Sequence, residues 1–239
     1  MDAAGATRLA KQLARSGFLA LGGFHPVTAD AAPEAAPGKP TRTLLLIGNA
    51  GPALWHILRD APESRDNYPD PLDRFTRRIL TEVAEDFGLG VAFPFGGPPW
   101  HPFQRWALKV GHFSPSPVGV LAHAVYGPWV AFRAALLSQD LFGTFQAGGR
   151  PGPCVNCRTK PCIQACPAEA LSEEHGYDVP RCRVHVTASP GAVCLTGCLA
   201  RRACPVGMTY AQTPDQAKFH MTAFLGSNPA SIRDRGCNK

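Results

Sequence analysis

The sequence predicts an α+β protein in two parts, a larger front domain and a small cysteine-bearing module behind it. Three observations predict this. Over residues 1–150, short apolar runs of strand length alternate with amphipathic stretches of helical period. Of the nine cysteines, only Cys237 falls outside residues 154–204. Between the two regions lies QAGGRPGP (146–153), whose Gly and Pro content reads as a linker. The expected domains are therefore 1–150 and 151–210, with a carboxy-terminal tail over 211–239.

Composition supports a folded chain. At 239 residues, 45% hydrophobic and 18% charged, it has the material for a core and is not disordered. Gly and Pro, at 24 each, predict many turns. The net charge of +6 comes without a long basic run, so a nucleic-acid partner is not expected. No run of about twenty apolar residues suggests a membrane helix. The amino-terminal stretch lacks the basic and apolar regions of a signal peptide. A reducing cytoplasm, where thiols stay free, is the expected location.

The front elements follow from pattern. Residues 7–16 place Leu9 and Leu13 four apart between charges and predict a short helix stopped by Gly17. ADAAPEAAPGKP (29–40) reads as a flexible surface segment. TLLLIGNAG (43–51) is a buried strand ending in turn residues. PLDRFTRRILTEVAEDF (71–87) has Phe75, Ile79 and Val83 at four-residue steps, with Pro71 at a favoured helix start and Gly88 after its end. GLGVAFPF (88–95) predicts another strand and FQRWALKV (103–110) a helix. VGVLAHAVY (118–126) and WVAFRAALL (129–137) predict two strands joined as a hairpin through Gly127-Pro128. Asp70 and Asp73 are expected to start the 71–87 helix. The front part holds neither a G-x-G-x-x-G fingerprint nor a P-loop, so nothing supports NAD or ATP binding.

The cysteines come in two groups, each closed by Cys-Pro: Cys154-x2-Cys157-x4-Cys162-x3-Cys166-Pro167, then, after Cys182, Cys194-x3-Cys198-x5-Cys204-Pro205. This is the signature of a bacterial-type ferredoxin with two [4Fe–4S] clusters. A looping run wraps three thiolates around one side of a cubane, and the fourth must come from elsewhere. In the bacterial pattern the Cys before Pro serves the other cluster. Applied here, one cluster takes Cys154, Cys157, Cys162 and Cys204, and the other takes Cys166, Cys182, Cys194 and Cys198. The gaps are wider than the usual C-x2-C-x2-C-x3-C-P. Zinc is the alternative, although only Cys154 and Cys157 have the C-x2-C spacing. A disulfide framework would need a small secreted chain. Cys237 reads as a bystander.

Two resemblances point to the use of these electrons. The segments TLLLIGNAGPALW, DPLDRF and GVLAHAVYGPWVAFRAALL resemble the cobalamin-processing family affected in methylmalonic aciduria type C (CblC-like), with Gly119, His123, Gly127, Trp129, Ala131 and Arg133 in the matched pattern. The order of front domain, VGHFSPSPVGVLAHAVYGPWVAFRAALL and dicluster ferredoxin resembles epoxyqueuosine reductase and, more distantly, reductive dehalogenases. In these, RC-x-x-x-x-T follows the first cysteine group, as Arg181, Cys182 and Thr187 do here. Both resemblances imply a nitroreductase-like cobalamin-binding domain that holds cobalamin with its lower base detached. They imply that Gly111, His112, Phe113, Ser114, Ser116, Gly119, His123, Trp129 and Arg133 lie along the corrin. The Ser-Pro-Ser-Pro run offers two hydroxyls for corrin amides, and Gly119 allows close backbone approach. For His112 and His123, packing or hydrogen bonding competes with ligation of cobalt, and Trp129 and Trp106 read as core.

The chain departs from epoxyqueuosine reductase in one respect. PPWHPFQRWALKVG has no Asp or Glu where that family has its carboxylate proton donor, and the family's tRNA-binding extension is not matched. No catalytic side chain is therefore assigned. The leading expectation is an iron–sulfur-dependent cobalamin reductase or processing protein. It would reduce base-off cobalamin, with removal of an upper ligand such as cyanide, and would deal with an unidentified electron donor and with cobalamin-dependent enzymes. Rival expectations are a cobalamin-dependent reductase of an organic substrate, a non-catalytic cobalamin chaperone, a ferredoxin-like electron shuttle, and a flavin in place of cobalamin.

Overall fold

A computed structural model describes residues 1–143, 151–188 and 193–226; Cys237 and most of the linker stretch lie outside them. In chain order the elements are α1 (Ala3–Arg15), β1 (Leu19–Phe24), β2 (Thr43–Ala50), α2 (Ala53–Asp60), α3 (Pro71–Asp86), β3 (Gly90–Ala92), α4 (Phe103–Val110), β4 (Phe113–Pro115), β5 (Leu121–His123) and β6 (Val130–Ser138). There follow α5 (Pro161–Gln164), β7 (Leu171–Ser172), β8 (Gly176–Tyr177), α6 (Val179–Ala188), α7 (Leu199–Arg202) and α8 (Pro214–Gly226). The chain forms two compact units. One comprises Met1–Phe113 and Val130–Pro151, the other Ser114–Trp129 and Gly152–Lys239. The Ser114–Trp129 segment, counted with the front domain in the sequence reading, thus groups with the cysteines.

The first unit is built on an antiparallel sheet of order β1-β2-β6-β3. β2 is central: Thr43 faces Ser138 and Ala50 faces Val130 on β6, while Phe24 of β1 faces Leu44. Side chains alternate across a strand, so Leu45 and Ile47 share a face with Ala134 and Leu136, and Leu44 and Leu46 point the other way. On the first face these residues meet Leu9 and Leu13 of α1, Leu54 and Leu58 of α2, and Phe75, Leu80 and Val83 of α3. On the opposite face, α4 comes so close to β1 that a Cβ on Gly22 would lie 2.6 Å from Val110 Cγ1. Leu44, Leu46 and Ile47 are all fully buried. A strand covered on both sides reads as an unbroken apolar run, which is why TLLLIG shows no alternation.

Several expected elements form with shifted ends. α1 begins at Ala3, because the Asp2 carboxylate accepts the Gly5 N–H at 2.8 Å and caps it. α3 has the expected bounds to one residue, with Pro71 at its start. Its inward stripe is Phe75, Thr76, Leu80, Val83 and Ala84, and Ile79 packs at its edge. The 88–95 strand shrinks to three residues. The expected hairpin through Gly127-Pro128 does not form. β5 pairs with β4, whereas β6 joins β2 and β3. At Gly127 the chain instead makes a tight turn, with His123 and Gly127 exchanging both backbone hydrogen bonds. β1 and α2 carry weak local signals, and both take their place from packing.

The second unit has little regular structure. α5 and α7 are single turns, and β7 and β8 form a two-stranded ribbon pairing Leu171 with Tyr177. The described part of the expected tail is α8, which buries Ala217 and Gln216. The Arg183 guanidinium of α6 donates to the carbonyls of Phe224 and Leu225, satisfying acceptors that a helix end leaves open.

Candidate functional site

The eight described cysteines are all free thiols, so no disulfide framework exists among them. Their neighbourhoods separate them into two sets. Burial pushes the Cys154 thiol up, and Cys204 and Cys157 beside it add to the shift. Cys162 is raised by burial and by Cys154 and Cys157, and Cys204 by burial and by Cys157. In the other set, burial raises Cys182 and Cys194, with Cys198 and Cys166 adding to both. No member of one set influences a member of the other in these shifts. The sets are Cys154, Cys157, Cys162, Cys204 and Cys166, Cys182, Cys194, Cys198.

Among the described residues no three His, Cys, Asp or Glu side chains converge closely enough for a single ion. Tetrahedral zinc, with Zn–S bonds of about 2.3 Å, would draw its sulfurs to within about 3.8 Å of each other. The second set instead surrounds space. Cys166, Cys182, Cys194 and Cys198 line one cavity of about 210 Å³ with Tyr177 and Arg201. That is several water volumes at ~30 Å³ each. Four thiols and a space of that size suit a group larger than one ion.

The loops around the first set are tied to the Ser114–Trp129 segment. Ser114, 2% exposed, accepts the Cys154 N–H at 3.1 Å, and its hydroxyl also bonds the Cys154 thiol. Lys160 donates to the Cys154 carbonyl at 3.0 Å and lies 3.5 Å from Glu173. Ser116 Oγ donates to the Val120 carbonyl at 2.7 Å. Gly119 has φ +77°, and a Cβ there would lie 2.7 Å from the Tyr177 ring. His123 is buried and stacks on Tyr126 at 4.7 Å. Its Nδ1 accepts the N–H groups of Val125 and Tyr126 at 3.1 and 3.3 Å, which puts the proton of the neutral ring on Nε2. Trp129 is buried beneath the Arg201 guanidinium at 5.0 Å. Ser114, Ser116, Gly119, His123 and Trp129 therefore share a unit with the cysteines.

The other sequence-predicted residues lie in the first unit. Gly111 ends α4 with φ +89°, and exposed His112 follows with φ +67°. Phe113 is buried against Phe132 at 5.5 Å. Arg133 Nε donates to Asn49 Oδ1 at 2.6 Å. Burial lowers Arg133 to about 10, and the Asp73 carboxylate nearby works against that shift. Asp73 itself is pushed above the usual carboxylate range by burial, with Arg133 and Arg77 opposing. Sequence reasoning gave Asp73 only to the helix start and passed over Asn49. Their tie to Arg133 spans about 60 to 84 residues of chain and leaves no local trace.

No protein-family model and no curated protein matches the chain. Solved structures do. The crystal structure of a C. elegans B12-trafficking protein CblC, a human MMACHC homologue, matches with a TM-score of 0.56 at 14% identity, covering 91% of each chain. Epoxyqueuosine reductase from Streptococcus thermophilus matches with a TM-score of 0.51 at 15% identity, over 96% of this chain and 74% of that one. At such identities the likeness is one of fold. The mixed helix-and-sheet architecture is thus of the kind found in these two proteins.

Proposed function

We propose that this protein is an iron–sulfur-dependent reductase and processor of cobalamin. The observation that carries the reading is the separation of eight thiols into two sets of four, one of them lining a cavity too large for one ion. The fold likeness supports it from two sides, since one neighbour is a B12-trafficking protein and the other a reductase. Each thiol set would hold a [4Fe–4S] cluster, which when bound takes up and gives back one electron at a time.

The chain's own residues do the holding. Burial raises several of the thiols, so binding iron is what favours their deprotonated form. Ser114 anchors the backbone and sulfur of Cys154. In the first unit, Arg133 and Asn49 present polar groups suited to a corrin amide. His123 does not suit ligation of cobalt through Nδ1, which is already engaged by two backbone N–H groups. The substrate is base-off cobalamin, reduced with loss of an upper ligand such as cyanide.

The test is to reconstitute the protein anaerobically with iron and sulfide, then add hydroxo- or cyanocobalamin and a reductant. The absorption spectrum should move to that of a base-off, reduced corrinoid. No movement would overturn the reading, and tight binding without reduction would make the protein a chaperone. A second reading is favoured by Asp73, whose raised carboxyl keeps a proton to higher pH than an ordinary aspartate. On this reading it would stand in for the carboxylate proton donor missing ahead of α4. Turnover of an epoxide-bearing substrate by the cobalamin-loaded protein, lost in Asp73→Asn, would select it.

A further inference from the structure

The second thiol set carries a charge with no counter-charge. Arg201 follows Cys198 by three residues on the one-turn helix α7. One of its N–H groups donates to the Pro128 carbonyl, and the guanidinium lies over the Trp129 ring. Its Nε is buried without a hydrogen-bond partner, and so is the Trp129 Nε1 beneath it. No carboxylate forms an ion pair with it among the described residues, and the group that favours its charge is Cys198. Taking a cation partly out of water without an ion pair costs stability, and leaving one of its N–H groups unbonded costs more. Such a group persists where something negative belongs beside it. The cavity it lines is also lined by Cys166, Cys182, Cys194 and Cys198, and a cluster held by four thiolates would be a net anion.

Tyr177 makes a second approach to the same cavity. Its hydroxyl hydrogen-bonds the Cys182 sulfur, and its ring is seated on Gly119, where a Cβ would intrude to 2.7 Å. Gly119 stands at φ +77°, a conformation that glycine adopts without strain. The first set differs. The cation beside it, Lys160, shares its charge with Glu173 at 3.5 Å.

We propose that Arg201 and Tyr177 are positioning residues that stabilise the reduced, more negative state of the cluster held by Cys166, Cys182, Cys194 and Cys198, and so raise its midpoint potential above that of the other cluster. This rests on the cluster reading above. Hydrogen bonds to the sulfurs and nearby positive charge both raise a cluster's potential. With both clusters bound, that order of potentials would favour electron flow toward the set held by Cys166, Cys182, Cys194 and Cys198.

The experiment uses the full chain, reconstituted anaerobically and assayed for iron and sulfide, in redox titrations followed by electron paramagnetic resonance. The wild type should give two midpoints, the higher belonging to the signal that Cys182→Ser abolishes. Tyr177→Phe and Arg201→Gln should each move that midpoint to more negative values and leave the other in place. Arg201→Lys, which keeps the charge, should move it less. Fully loaded variants with both midpoints unchanged, or with only the other midpoint moved, would overturn the assignment while leaving the clusters standing. Loss of the second cluster from Tyr177→Phe would make the hydroxyl an assembly requirement and overturn the tuning role. Wild-type protein that takes up no iron and sulfide would overturn the cluster reading, and this inference with it.

Discussion

The two units reach stability by different means. The first buries a continuous cluster in which Leu13, Ile47, Leu80 and Ala134 have no exposed surface, gathered from three helices and two strands. The second buries few large apolar side chains, chiefly Leu121, Trp129, Leu171 and Val186, and otherwise alanines and a cysteine. Its helices α5 and α7 are too short to stand alone. A small unit with so little core needs cross-links. Under the proposed function the thiol sets supply them. On that reading, one part of the chain folds around hydrocarbon and the other around its ligands.

Each half of that contrast is open to attack. The largest effect should come from Cys157→Ser. It should lower iron and sulfide per chain by about half and loosen the second unit, seen as faster proteolysis within residues 152–226, while the first unit's unfolding stays put. Leu80→Ala is the converse. Removing a fully buried side chain from α3 should lower the first unit's unfolding free energy by about 2–5 kcal/mol in a denaturant titration, with iron content unchanged. If iron falls as well, the two units do not stand on separate supports.

Gly127→Ala tests the second unit through its backbone. The residue holds φ +56°, and a Cβ would sit 2.1 Å from the Val206 carbonyl oxygen. About 1–2 kcal/mol of left-handed strain plus that overlap should lower the temperature at which cluster absorbance is lost.

The smallest effect concerns Glu63 of the first unit. Its carboxylate accepts from Arg78 at 2.6 and 3.1 Å, and this bonding holds it below the usual carboxylate range. A carboxylate depressed in the folded state adds stability that is fully present above its unfolded value, about 4.3, and is lost as pH falls through the lower folded value. Glu63→Gln should therefore cost at most about 1 kcal/mol at pH 7, given the partly exposed arginine. The difference from wild type should shrink as pH drops below about 4.

Legibility followed range along the chain. The helix over Pro71–Asp86 and the strand over Thr43–Ala50 announce themselves because period and capping are local. β1 went unread because LALGGF carries two glycines and few side chains to mark a strand. The hairpin expected across Gly127-Pro128 failed for a related reason. Both flanking runs are β-prone, but β6 pairs with β2, 80 to 95 residues away, and local turn chemistry does not choose between partners. At the candidate site the cysteines were readable from spacing alone. Arg201 was hidden inside CLARRACP as one of two adjacent arginines, and nothing in that string says which turns inward.

By itself the sequence determined the thiol inventory, its grouping into two Cys-Pro-terminated runs, and the alternation of apolar and amphipathic stretches, because each is a matter of residue type and spacing. Only the tertiary structure decided that Ser114 bonds Cys154, that Gly119 seats Tyr177, and that half-buried Arg201 lies on Trp129 with its Nε–H unmet. Those facts depend on which distant segments meet, and a chain folded in three dimensions settles that through packing and desolvation rather than through the order of its residues.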